Sequence, residues 1–275
     1  SDGQDMHSRI LDEATLAGIA VSVAAGNDGP NNDGLSGMGS SSLSMTIGAT
    51  DDMNTVNRSD DEIAGYSSRG PRRDNGDNNP INELKPDLSA PGTNIVQAEA
   101  CVTSGTCNNF LGGDASENGY TGRGSGTSYA TPAVTGVIAL MWEVNPALDP
   151  LQIREILRAT AEQPGAPSLP EIDPVWNRDF GWGMVDALAA VEMAIFLNES
   201  DTDLETLDID LQMRKTSIQQ NGSVHRTDGI VWARSGSVDS VQYRIDEGEW
   251  REATYEVNES GSSALVPVNW SVVLD

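Results

Sequence analysis

The stretch from Gly126 to Leu140, GTSYATPAVTGVIAL, constrains this chain more than any other. Small residues recur along it at Gly126, Ala130, Ala133, Gly136 and Ala139, with Val134, Val137, Ile138 and Leu140 standing between them. That pattern predicts a helix whose backbone lies close to other backbone, buried inside a large domain. Pro132 is expected in its first turn, where a missing N–H costs nothing. A serine at a helix start is ordinarily a cap that accepts a backbone N–H. At the positive end of a buried helix, Ser128 also stands where a developing negative charge is stabilised by the dipole and by free N–H groups. An acyl-transfer nucleophile needs that setting.

The rest of the chain up to about residue 198 alternates helix and strand. The run QDMHSRILDEATLAGIAVSVAAGN predicts a helix ending at Gly18, a short apolar strand from Ile19 to Ala25, and a turn at Gly26 and Asn27. Further strands are expected at Ser44 to Ala49 and at Thr93 to Ala98, separated by polar loops such as RRDNGDNNP. Asp149 and Pro150 open a helix carrying Ile153, Ile156 and Leu157, and Met184 to Leu197 forms another. The fold class is therefore α/β, a parallel sheet flanked by helices. Residues 199–207 form an acidic linker, after which the texture changes. In VQYRIDEGEW, Val241, Tyr243 and Ile245 share one face before a turn at Glu247 and Gly248, and short strands are expected at Gly229 to Ala233 and Ala264 to Val268. Residues 208–275 are expected to be part of a β-sandwich of the Ig-like kind, too short for a whole one.

Forty-two acidic residues stand against 16 basic ones, a net charge of −26, which disfavours nucleic acid as a partner. The acids are expected to cover a solvated surface, salt adaptation being one version of it. No apolar stretch is long enough to span a membrane. Cys101 and Cys107, in CVTSGTC, allow either a short disulfide or two thiols, and no third or fourth ligand accompanies them for zinc.

Four segments taken together, AAGNDGP with Asn27, YSSRGP, KPDLSAPG and GTSYATP with Ser128, occur in an order that resembles the subtilisin-like serine proteases, the subtilases. The resemblance covers residues 1–198. It implies a subtilisin-like fold and a serine endopeptidase with Ser128 as nucleophile. Asn27 would join the Ser128 N–H in the oxyanion hole, and a rigid Gly-flanked turn after a strand suits that task. Ala24, Ala25 and Gly26 would form one wall of the pocket for the side chain preceding the scissile bond, with Asp28 at its rim. Gly126 would let substrate approach Ser128, whereas Thr127 reads as structural. Tyr129 departs from the methionine often found after the serine, a change that removes an oxidation-prone sulfur. YSSRGP and KPDLSAPG read as scaffold turns. The resemblance also implies protein or peptide substrates and a secreted or extracellular location. No cofactor is required, and calcium is allowed for without an identified site: loops such as RSDDE and DDMN match no EF-hand spacing. Nothing fixes the oligomeric state.

One departure is larger. Subtilases supply a general base from a His-containing motif and an orienting aspartate from another, both upstream of the asparagine, and neither motif occurs here. The only histidines are His7 and His225, both read as exposed. Ser128 needs a base within hydrogen-bond reach, so a complete triad is not expected within these residues. The reading is of the C-terminal part of a subtilase catalytic domain, inactive by itself. The rival is a non-catalytic binding or adhesion protein that uses the fold as a scaffold. An α/β-hydrolase would want a G-x-S-x-G elbow, and GTSYA lacks its second glycine.

Overall fold

The computed structural model describes residues 1–35, 37–96, 124–199, 211–221, 224–233, 238–245, 248–255 and 268–274. The expected strand at Ala264 to Val268 lies mostly outside these residues, as do both cysteines and the acidic linker after residue 199.

Helix α1 (Met6–Leu16) starts where Asp5 accepts hydrogen bonds from the backbone N–H groups of His7 and Ser8 at 3.0 and 3.1 Å. Strand β1 (Ser22–Ala24) follows, shorter than the sequence pattern suggests, and runs parallel to β2 (Met45–Asp51) with Ala24 opposite Ile47. The far end of β2 pairs antiparallel with β3 (Glu62–Ile63), and β4 (Leu88–Pro91) lies parallel to β2 with Ile47 opposite Leu88. KPDLSAPG is thus not simply a scaffold turn: its LSAP portion is a buried sheet strand. Of the strand expected from Thr93 to Ala98, the described residues 93–96 show one bridge, Ile95 with Gly124, and the remainder lies outside the described residues.

Helix α2 (Thr127–Val144) lies across this sheet through Ala130, Val134, Val137, Ile138 and Met141, packed with Ile47, Ala49, Leu88 and Ala90. Two expectations about α2 are corrected. Leu140 does not fill the interior but is 55% exposed, and Pro132, Ala133, Gly136 and Ala139 are exposed with it. The reason is that the apolar positions meet the sheet on one side only. Pro132 is not in the first turn either: with Thr127 as the first helical residue it sits inside the helix. Having no N–H, it leaves the Ser128 carbonyl without the usual bond from four residues on.

Helix α3 (Pro150–Thr160) has a full capping box, with Asp149 accepting from Leu151 and Gln152 while the Gln152 side chain accepts from Asp149 N–H. Met184 is not helical as expected but extended, bridging Ser89 and Glu162 before α4 (Ala187–Glu199) begins. The later residues form an antiparallel sheet in the order β5 (Leu211–Asn221), β6 (Val224–Ala233), β10 (Val268–Leu274), β9 (Thr254–Tyr255). A separate pair joins β7 (Gln242–Tyr243) to β8 (Arg251–Glu252). Val231, Val241, Ala253, Val268 and Val272 make its small core. Val241 is buried and Tyr243 packs beside it, but Ile245 is 48% exposed at the end of that face.

One charged cluster ties the α/β part together. Asp87, fully buried just before β4, accepts from Lys85 Nζ at 2.7 Å and from the Thr46 N–H at 2.7 Å, and it also pairs with Arg158 on α3. Lys85 Nζ donates in addition to the Ser44 carbonyl at 2.6 Å, and the Arg158 guanidinium lies 3.8 Å from the Trp182 ring centre. Burial alone would raise the Asp87 carboxyl, but the Lys85 and Arg158 charges outweigh it and hold the group below the ordinary carboxylate range. A depressed folded value means that the stability it contributes is present above the unfolded value of about 3.9 and is lost as pH falls from there through the lower folded value. Asp87→Asn should therefore lower the unfolding free energy at neutral pH by about 3–5 kcal/mol, the cost of stripping one partner from a buried ion cluster. The acid-induced loss of stability should also be shallower in the variant. Denaturant unfolding across that pH range checks both, and parallel pH profiles would clear Asp87 of the acid response.

Candidate active site

The residues singled out by the sequence gather where the parallel strands end and α2 begins, the edge at which open α/β sheets place their sites. Strand β1 ends at Ala24, and the Ala25 N–H donates to the Ile47 carbonyl at 2.9 Å, so the chain leaves the sheet in a fixed direction. Gly26 then takes φ +106°, a conformation that side chains rarely adopt, and turns the chain to present Asn27 and Asp28 to solvent. Across the sheet, β4 ends at Pro91, and the Gly92 carbonyl accepts from the Gly126 N–H at 2.8 Å. A Cβ on Gly92 would stand 2.7 Å from the Ala49 Cβ and 2.9 Å from the Gly126 carbonyl oxygen. Only glycine lets the start of α2 come this close to the sheet.

Between these two anchors lies a small cradle. Gly126 holds φ 154° and ψ 158°, and a Cβ built on it would lie 3.5 Å from Asn27 Nδ2, 3.7 Å from the Ser128 backbone nitrogen and 3.7 Å from Cδ2 of Tyr129. The Asn27 amide nitrogen and the Ser128 backbone nitrogen thus both lie close to the side-chain-free face of Gly126, beside Ser128, which is exposed at the helix start. Hydrogen bonds account for the Asn27 orientation: its Oδ1 accepts from the Thr127 N–H at 2.9 Å and from Thr127 Oγ1 at 3.0 Å. A backbone N–H can only donate, so oxygen must face Thr127 and nitrogen must face the cradle. Such an arrangement suits an oxygen that gains negative charge.

Of the three residues read as a pocket wall, Ala25 is buried, while Ala24 and Gly26 are partly exposed. Asp28 is exposed; its N–H donates to Ser68 Oγ at 3.1 Å, and its Oδ2 lies 4.0 Å from where a Gly26 Cβ would be. Ser68 is a support that motif reading passed over as scaffold. Its N–H donates to the Gly26 carbonyl at 2.9 Å and its hydroxyl stands 3.0 Å from the same Cβ position, so it braces the wall from behind. Tyr129 covers Gly124 so closely that a Cβ there would fall 2.1 Å from its hydroxyl.

Neither histidine joins this group. His7 lies on exposed α1, 3.8 Å from Asp5, and His225 lies in β6 opposite Leu274 and Gln220. Among the described residues, no three His, Cys, Asp or Glu side chains converge into a group fit for a metal ion. The acidic loops considered for calcium serve their own turns: Asp52 accepts from the Asn54 N–H at 3.0 Å, and Asp60 accepts from Thr55 Oγ1 at 3.0 Å. No helix among the described residues is long and apolar enough to cross a membrane.

Several known proteases are similar to this chain. Serine protease AprX of Bacillus subtilis is 37% identical over 159 residues, 56% of this chain and 33% of AprX. Bacillopeptidase F of the same organism is 30% identical over 220 residues, 77% of this chain and 13% of that protein. Subtilisin-like protease SBT3.7 of Arabidopsis thaliana is 32% identical over 171 residues, 58% of this chain and 19% of that protein. The chain spans a third or less of the length of these relatives. Among solved structures, sphericase aligns with 65% of this chain and 51% of its own at 24% identity, with a TM-score of 0.47. Fervidolysin from Fervidobacterium pennivorans aligns with 84% of this chain and 35% of its own at 18% identity, with a TM-score of 0.49. The sequence profile of the subtilase family matches residues 1–183, the segment that carries Asn27, Gly126 and Ser128, and the chain belongs to that family.

Proposed function

We propose that this chain is the nucleophile-bearing part of a secreted serine endopeptidase. Ser128 Oγ, giving its proton to a base, attacks the carbonyl carbon of the scissile peptide bond; the C–N bond breaks and the amine leaves with that proton, and water then hydrolyses the acyl ester to the acid and free Ser128. The carbonyl oxygen, negative in the tetrahedral intermediate, takes the cradle between Asn27 Nδ2 and the Ser128 N–H. The observation that carries this reading is the placing of the Asn27 amide nitrogen and the Ser128 backbone nitrogen on the same side of Gly126, next to Ser128, with the amide oxygen engaged by Thr127. A proton acceptor for Ser128 Oγ and its orienting carboxylate are assigned to chain outside these residues, since neither His7 nor His225 is hydrogen-bonded to Ser128. No step is routed through a metal ion, and calcium has no assigned site. Residues 1–198 are the C-terminal part of the catalytic domain and 208–275 part of an Ig-like β-sandwich, the antiparallel pairing of β5, β6, β9 and β10 being in keeping with the second assignment.

Fluorophosphonate labelling tests the role of Ser128. The chain alone should label slowly, and the complete protease rapidly and only while Ser128 is present. Fast stoichiometric labelling of Ser128 in the isolated chain would require a base within it and would overturn the division of the triad. No labelling of Ser128 in the complete protein would favour a non-catalytic scaffold.

In the complete protease, Asn27→Ala should leave KM nearly unchanged and lower kcat about 10²- to 10³-fold, the cost measured for losing this donor in a subtilisin. Gly126→Ala should produce a comparable loss in a folded protein, because its methyl group fills the cradle. A raised KM with kcat spared in either variant would make these contacts to the ground state.

Asp28 supports a modest preference for basic side chains before the scissile bond. With its carboxylate turned back over Gly26, an arginine or lysine stem can lie on the wall of Ala24 to Gly26 with its charge near Asp28. At so exposed a rim the pair is worth about 0.2–1 kcal/mol, at most a several-fold preference, so large apolar side chains remain acceptable. Asp28→Asn should lower the ratio of kcat/KM for basic over apolar peptides at low salt and change it less at high salt. An unchanged ratio at both salt levels would remove Asp28 from the pocket.

A further inference from the structure

The later antiparallel sheet has a task toward the α/β part: we infer that Ile230 of β6 is the seat by which this sheet rests on the apolar cluster of Leu84, Val175, Trp176 and Trp182, and that the seat braces residues 162–184 against the entry to β4. Catalysis as proposed above makes no use of this sheet, and the contact gives it one.

Successive residues of a strand face opposite sides of its sheet, so the consecutive apolar pair Ile230 and Val231 cannot serve a single core. Val231 stands opposite Val268 and is buried in the small core of the sheet. Ile230, opposite Asn269, faces the other way and packs against Leu84, Val175, Trp176 and Trp182, all of them buried in the α/β part. The rest of that sheet face is unlike a core. Arg226 pairs with Asp228 at 2.8 Å, and Val224 and Val273, on the same side, are 37% and 49% exposed. The apolar contact is thus local to Ile230. Strand β5 comes close to helix α3 as well, so two strands of the sheet approach the α/β part.

The cluster under Ile230 belongs to a loop closed at its base, where Glu162 and Met184 exchange both backbone hydrogen bonds, at 2.8 and 2.7 Å. Inside it one oxygen of Asp173 accepts from the N–H groups of Val175 and Trp176 at 2.9 Å, and the other accepts from Trp182 Nε1 at 3.1 Å. Both tryptophans are joined to the segment leading into β4. Trp176 Nε1 donates to the Pro86 carbonyl at 3.1 Å, and the Trp182 N–H donates to the Asp87 carbonyl at 2.9 Å. A long loop with no helix or strand of its own is ordered only at a cost in chain entropy. Apolar contact from the sheet offsets part of that cost. Through the two tryptophans, Ile230 therefore supports the residues that set β4 on β2.

Ile230→Lys puts a charge into the apolar cluster, whereas Val273→Lys puts the same charge on the exposed part of the same sheet face. In the complete protein, Ile230→Lys should speed hydrogen exchange of peptides covering 162–184 about tenfold. It should also lower the unfolding midpoint of the α/β part by about 4–8 °C. Val273→Lys should change neither. Unchanged exchange of 162–184 in a folded Ile230→Lys protein, or an equal effect of Val273→Lys, would overturn the proposal. A measurement on the unsubstituted protein decides the matter if Ile230→Lys does not fold: pulse-labelled hydrogen exchange at rising denaturant. Peptides from 162–184 should lose protection where β6 and β10 open. Full protection of 162–184 after both strands have opened would overturn the proposal, as would its opening while both stay closed. Neither measurement reads proteolysis, so the seat stands or falls apart from the serine protease reading.

Discussion

The buried carboxylate of Asp87 is the interaction on which the α/β part of this structure depends. It faces strand β2 through Thr46, the segment leading into β4 through Lys85, and helix α3 through Arg158. A set of apolar side chains of equal volume would often be as stable, because removing charges from water costs more than their attraction repays unless every lone pair is met. What the charged set adds is direction: apolar contact tolerates a slip along the strand, whereas an ion pair that also accepts a ladder N–H does not. The register of β4 on β2 determines where Gly92 stands, and Gly92 sets how closely Gly126 and the start of α2 approach. The site and the ion cluster are thus two ends of one short strand.

This is why KPDLSAPG was only half legible. Its spacing and its place in the motif order were readable, and so was its distance from the chemistry. The sequence pattern did not reveal that Lys85 and Asp87 point inward, because an isolated lysine and aspartate read as surface residues, and their partner Arg158 lies 71 positions away. Asn27 and Ser128 were legible for the opposite reason. Each sits at the junction of an apolar run and a small-residue turn, a local pattern that marks the end of a buried element. Thr127 carries no such mark, since a threonine beginning a helix is usual, and its role emerges only when the turn 100 positions earlier folds against it.

Helix α2 shows where a pattern of residue sizes falls short of a surface. Small residues at Ala133, Gly136 and Ala139 do permit close approach, as the sequence suggests, but permission is not occupancy: in this chain they face outward while Ala130, Val134 and Met141 meet the sheet. Pro132 is instructive in the same way. Placing it in the first turn assumed a helix start two or three residues later than the one at Thr127, and helix boundaries are the least certain part of any pattern argument. The difference has a chemical consequence, because the carbonyl left without its helical bond belongs to Ser128 itself.

The charge balance acquires a sharper meaning once the positions of the basic residues are known. Arg69, Arg72, Lys85 and Arg158 are buried, so a quarter of the 16 basic residues neutralise interior carboxylates or bond interior carbonyls and contribute little to the outer surface. The buried acids Glu83, Asp87 and Asp173 offset most of those four charges, so the described surface keeps the acidic excess of the sequence. A field of one sign attracts basic peptides and repels acidic ones over about 8–10 Å at moderate ionic strength, and it fades as salt shortens that range. Such a field acts on the encounter with any substrate, before a pocket has been entered. In the function proposed above, Asp28 acts at short range on a single side chain and the surface at longer range on the whole peptide, the first through contact and the second through the rate of arrival.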